Sequence, residues 1–185
     1  MATESTDRLQ EIFDRQDIHD VGMRYCRGAD RVDEELLRSV FHDDAYIEYG
    51  NFNGLAQDFV PWVIDNIRTN YTNGYHSIAN EYVVVNGDDA QAELYAIIHN
   101  TAVNEEGQSI DSTLGGRYLD RYERRQGEWR IARRQFALDW IETAAPRDTP
   151  DEGVNDEDLL IRGKMSREDI SYSVLPSESA RTLDW

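Results

Sequence analysis

The sequence predicts an α+β domain in which a curved antiparallel sheet wraps around N-terminal helices as a cone-shaped barrel, and three observations carry that prediction. Residues 6–27 place Leu9, Ile12, Phe13, Ile18, Val21 and Tyr25 at near three-and-four spacing, the stripe of an amphipathic helix. From Tyr75 onward the pattern changes to long alternating segments suited to strands. Turn chemistry at Asn86-Gly-Asp-Asp89, Asn104-Glu-Glu-Gly107 and Arg125-Gln-Gly-Glu128 divides those segments into hairpins. Helices first and a strand meander afterwards make a two-layer domain, and a sheet that curls can enclose a pocket.

Each element follows from local chemistry. Gly28 supplies a stop for the first helix, and a short helix follows from Val32 to Val40. The segment "DAYIEYGNFNG" is strand-like, with Tyr49 and Phe52 flanking Gly50. A further helix is expected from Gln57 to Asn70, with Pro61 tolerated only near its first turn. The strand Ala90–Val103 sets Ala90, Ala92, Leu94, Ala96 and Ile98 against Gln91, Glu93, Tyr95, Ile97 and His99. Its small residues let a helix lie close, whereas the opposite side is polar and aromatic.

We read residues 1–144 as the barrel domain and 145–185 as an acidic C-terminal extension. Residues 142–185 hold eleven acids and five bases, and Leu159, Leu160, Ile161 and Trp185 are candidate docking points. The whole chain of 185 residues carries 19 Lys+Arg against 37 Asp+Glu, a net charge of −18. Such a field repels phosphate backbones and anionic membranes, so neither nucleic acid nor a membrane is an expected partner. No run approaches the length of a membrane span. A single cysteine, Cys26, and the absence of an export-signal pattern at the N-terminus fit a cytoplasmic protein.

The candidate chemistry begins at His76, which opens a strand built to be buried. Burying imidazole costs free energy unless both ring nitrogens are satisfied, and a carboxylate on the Nδ1 side would fix the tautomer and raise the basicity of the ring. Asp30, at the end of the first helix in "RYCRGADRVDEE", is the acid placed to point inward; the neighbouring Asp33, Glu34 and Glu35 read as a solvated helix start. The plainer readings are a strand-end histidine bonded to backbone and an aspartate capping the next helix. Tyr25 and Tyr49 are otherwise core aromatics, and Arg134 otherwise belongs to an arginine-rich sheet edge. Alternation puts Arg134 on the side of Ala132, Phe136 and Leu138. His19 and His42 read as surface residues, and the adjacent trio His42, Asp43 and Asp44 is a weak metal site.

The order Tyr25, Asp30, Tyr49, His76, His99 and "YLDRYERRQGEWRIARR" resembles the scytalone dehydratase and SnoaL-like branch of the nuclear-transport-factor-2-like superfamily over residues 7–141. That resemblance implies a cystatin-like α+β cone with a deep pocket and a His–Asp dyad at His76 and Asp30, with no metal and no organic cofactor. It implies that Tyr25 and Tyr49 hold a substrate oxygen or a water, and that His99 and Arg134 contact substrate. It also implies a homo-oligomer, trimer or dimer.

Proton abstraction beside a carbonyl needs a base and donors for the developing oxyanion, and these side chains supply both types. The expected function is therefore a cofactor-independent lyase of dehydratase type acting on a small, cyclic, mostly apolar ligand. The alternatives are an isomerase or cyclase working on a ketone or steroid-like substrate, and a non-catalytic binding domain.

Overall fold

The computed structural model describes residues 2–146 and 163–175. The elements run α1 (Ala2–Asp30), α2 (Glu34–Ser39), β1 (Phe41–Tyr49), β2 (Phe52–Leu55), α3 (Ala56–Asn70), β3 (Asn73–Asn86), β4 (Asp89–Val103), β5 (Ser109–Arg125), β6 (Glu128–Thr143) and α4 (Ser171–Val174). This is the expected α+β plan. Six strands form one sheet in the order β2-β1-β6-β5-β4-β3, all pairs antiparallel except β1 with β6.

The first helix does not stop where glycine suggests. α1 continues through Gly28 to Asp30, and Val32, at φ +52°, takes the left-handed position that closes it. Asp33 N–H donates to the Gly28 carbonyl at 2.8 Å, and Val32 N–H to that of Ala29 at 3.1 Å, satisfying the last helical carbonyls. Gly28 is needed for space instead: a Cβ there would lie 2.9 Å from the backbone nitrogen of Leu37 in α2. The N-cap of α2 is Asp33, whose carboxylate accepts from Leu36 N–H at 3.2 Å. Asp33 is buried rather than solvated, and Asp30 is left free of capping.

The long strands form because alternation gives each an inner and an outer side. Ala90, Ala92, Leu94, Ala96 and Ile98 of β4 are buried against the helical layer, where a Cβ on Gly22 of α1 would sit 3.6 Å from Leu94. Phe41 and Ile47 of β1, Phe59, Val60 and Ile64 of α3, and Tyr118 and Tyr122 of β5 complete the same core. At the β5–β6 hairpin, Gln126 and Gly127 both take positive φ, as a tight two-residue turn requires. His42 is buried, not a surface residue, with Nε2 at 2.9 Å from the Glu123 carbonyl.

Residues 163–175 pack back on the α1–α2 corner. Tyr172 hydroxyl donates to Asp33 at 2.7 Å, Arg27 lies 4.5 Å over the Tyr172 ring and donates to Ser171 Oγ at 3.1 Å, and Arg31 is 3.5 Å from the buried Asp169. The expected docking residues Leu159, Leu160, Ile161 and Trp185 lie outside the described residues. Among the described residues, no helix is long and apolar enough to cross a membrane.

Candidate active site

α1 and the edge strand β3 bring a carboxylate and an imidazole together across 46 residues of sequence. Asp30 Oδ1 accepts from His76 Nδ1 at 2.7 Å, and the two carboxylate oxygens accept from the His76 backbone N–H at 3.0 and 3.2 Å. The side chains are 14% and 10% exposed, so the pair is shielded from bulk water while still reachable. A carboxylate at Nδ1 makes that nitrogen the protonated one, leaving Nε2 as the basic nitrogen available to a ligand. The backbone bonds hold the acid to the strand as well as to the ring.

Tyr25 stands one helical turn and a residue before Asp30 and packs edge-on to the His76 ring, with centroids 6.1 Å apart at 84°. Tyr49, at the end of β1, stacks on Phe136 at 4.8 Å and on Tyr118 at 6.4 Å. Burial pushes the pKa of Tyr25 and of Tyr49 above the usual phenol value, so both hydroxyls stay protonated and able to donate. Tyr118, buried on β5, is a third phenol in this group.

A cavity of about 140 Å³ is lined by Tyr25, Asp30, Tyr49 and His76, the four residues expected to be catalytic. The apolar wall comes from Val63, Ile67, Ile98 and Leu114. Sequence reasoning did not single out Asn66, Asn100 or Met165, which also line it. Asn100 has the parity of Ala90 to Ile98, so the small-residue pattern of β4 already carried the signal. Met165 belongs to the C-terminal strap and had no local signal.

The other two expected site residues do not line this cavity. His99 points to the outer side of β4, where its ring packs on Tyr75 at 5.7 Å and its Nδ1 is 3.2 Å from Thr113 Oγ1. The strand alternates, so a shift of one residue reverses the side, and Asn100 takes the inner place. Arg134 is fully buried behind the cavity. It donates through Nε and Nη2 to Asp120 at 2.8 and 2.6 Å, with the guanidinium carbon 4.0 Å from the Tyr25 ring centroid and 4.1 Å from that of Tyr118. It supports the tyrosines and is not placed to touch a ligand. A bulge at Ala132 puts Ile131 opposite Tyr122 and Arg134 opposite Asp120, so Ala132 is not a simple same-side neighbour of Arg134. Among the described residues, no group of three or more His, Cys, Asp or Glu is placed to hold a metal, the trio at His42 included.

Comparison with known structures finds the same architecture at low sequence identity. A type 2 hexachlorocyclohexane dehydrochlorinase aligns with TM-score 0.69 and 22% identity, over 80% of this chain and 99% of that one. A scytalone dehydratase-like protein from Novosphingobium aromaticivorans aligns with TM-score 0.64 and 20% identity, over 77% and 95%. A nuclear-transport-factor-2-like protein of cystatin-like fold from the same organism gives TM-score 0.58 and 24% identity, over 74% and 88%. No curated protein matches the chain. The model of the SnoaL-like domain matches residues 10–135, which span both helices of the dyad corner and every strand that lines the cavity, and the chain belongs to the SnoaL-like family.

Proposed function

We propose that the protein is a cofactor-independent lyase of dehydratase type, with His76 as general base and Asp30 as its orienting carboxylate. The observation that carries this reading is the 2.7 Å Asp30–His76 contact on the wall of a cavity otherwise lined largely by apolar groups. In the reaction envisaged, Nε2 of His76 removes a proton from the carbon beside a ring carbonyl. The Tyr25 and Tyr49 hydroxyls donate to the carbonyl oxygen as negative charge builds there. The electron pair left on carbon forms the new double bond, a β-hydroxyl departs, and the imidazolium returns its proton to that group, so that water leaves. Asp30 stabilises the imidazolium between the two proton transfers. General-base assistance of this kind is worth about 10² to 10⁴ in rate.

The family membership supports a small cyclic ligand, and exposed apolar residues on the outer sheet face (Tyr75, Tyr95, Ile97 and Trp140) support a homo-oligomer, dimer or trimer. The test uses β-hydroxy cyclic ketones such as 3-hydroxycyclohexanone, with water loss followed by enone absorbance. Asp30→Asn and His76→Gln should each lower kcat/KM by about 10² to 10⁴ while ligand still binds. Turnover within twofold of the parent in both variants would overturn the proposal. A product isomeric with its substrate would move the chemistry to an isomerase, and ligand binding with no turnover would leave a binding domain.

A further inference from the structure

The inner faces of β3 and β4 hold a feature that the elimination does not use. Gly74 and Asn100 are directly opposite each other, one inward-facing pair along from His76 and Ile98. Gly74 has no positive φ, so its backbone does not call for glycine. What it provides is room. A Cβ at Gly74 would lie 2.8 Å from Asn100 Oδ1 and 3.1 Å from the His99 carbonyl oxygen, close enough to push the carboxamide away. Both residues line the cavity.

The Asn100 side chain is half-buried and has no hydrogen-bond partner among the described residues. Its amide atoms are not among the buried unpaired ones, so water reaches them now, and a ligand group that pairs with the amide inside the cavity takes the place of that water. Asn66, across the cavity on α3, already shares its carboxamide oxygen with Asn70 at 2.9 Å. The cavity thus has two polar poles: the hydroxyls of Tyr25 and Tyr49 with His76, and the Asn100 amide. Along the strand, the Asn100 and His76 levels differ by two residues, about 7 Å. Ile98, opposite His76, and Leu114, opposite Ile98, form the apolar wall at the His76 level. The volume, about 140 Å³, compares with the roughly 150 Å³ of an apolar cavity that holds one benzene. A single ring is matched to a space of that size.

We propose that Asn100, admitted by the missing side chain of Gly74, selects single-ring ligands that carry a second oxygen remote from the carbonyl. This rests on the reading of the site given above, since it takes the tyrosine pole as the seat of the carbonyl. The experiment compares cyclohexanone with 4-hydroxycyclohexanone, neither of which can undergo the β-elimination, by ligand-observed NMR titration of the full chain. The parent protein binds the hydroxylated ring about tenfold more tightly, the upper end of what one added hydrogen bond is worth. Asn100→Leu, which keeps the volume and removes the hydrogen bonds, loses that preference by weakening the hydroxylated ring alone. Gly74→Ala, which displaces the carboxamide, does the same. Equal binding of the two rings by the parent, binding of neither, or a preference retained in Asn100→Leu overturns the proposal. A parent protein that shows the preference but turns over no β-hydroxy ketone overturns the lyase reading and leaves the selectivity standing.

Discussion

Replacing Arg134 by methionine tests the packing behind the cavity, and the size of the effect follows from the geometry. Arg134 is 0% and Asp120 4% exposed, and two charge-assisted hydrogen bonds of 2.8 and 2.6 Å join them. With the guanidinium gone, the buried carboxylate of Asp120 keeps the Tyr122 hydroxyl, at 2.9 Å, as its side-chain donor. One neutral donor does not replace a cation. Breaking a buried pair in this way costs about 3 to 5 kcal/mol, a large part of the roughly 5 to 15 kcal/mol that holds a typical domain folded. The double replacement Arg134→Met with Asp120→Leu removes both charges and recovers most of the loss, leaving about 1 to 3 kcal/mol for the Tyr122 hydroxyl that loses its partner. Guanidinium denaturation followed by circular dichroism measures all four members of the cycle. A single variant that loses less than about 1 kcal/mol, or a double variant whose loss equals the sum of the singles, would refute the view that the pair acts as one buried unit.

Two further outcomes follow from the helical corner that carries Asp30. Gly28→Ala should gain about 1 kcal/mol from helix propensity alone, yet the new Cβ meets α2 backbone at 2.9 Å, so we expect a net loss of about 1 to 3 kcal/mol; a raised Tm would contradict this. The strap contact at Tyr172 has its own pH window. Burial first, then the hydrogen bond to Asp33, pushes the Tyr172 phenol up from 10.0 to about 12. A folded value above the unfolded one means that the contribution is full below pH 10 and is lost as pH rises toward about 12. The Met165 methyl signal should therefore hold its folded position through neutral pH and shift only above pH 10. In Tyr172→Phe the part of that shift due to this phenol is absent, and an unchanged alkaline shift in the variant would assign it elsewhere.

Most of the fold was legible because its signals are local and repetitive. The three hairpin turns fall where Asn-Gly, Glu-Gly and Gln-Gly stand, and the alternation of β4 gave the inner face correctly. The end of α1 was not legible, since Gly28 reads as a stop in sequence but serves a close approach to Leu37, which only the packed pair reveals. The meeting of Asp30 with His76 could be anticipated because Asp30 ends α1 and His76 lies in the first residues of β3, inside the ladder opposite Ile98, so the acid leaving the helix faces the start of the strand. His99 was misplaced because period-two alternation makes a one-residue error a change of side. Arg134 was set on the inner side as expected, but its distance from the ligand space depends on Asp120, Tyr25 and Tyr118 closing around it, a tertiary arrangement with no signature along the chain.

The proposed chemistry depends on the protonation pattern of one ring, and nitrogen-15 NMR of the His76 side chain at neutral pH reads it directly. The expected spectrum has a proton on Nδ1, shifted downfield by its bond to Asp30, and a bare, basic Nε2; Asp30→Asn should abolish that pattern. A proton residing on Nε2 in the parent protein, or a ring spectrum that Asp30→Asn leaves unchanged, would contradict it.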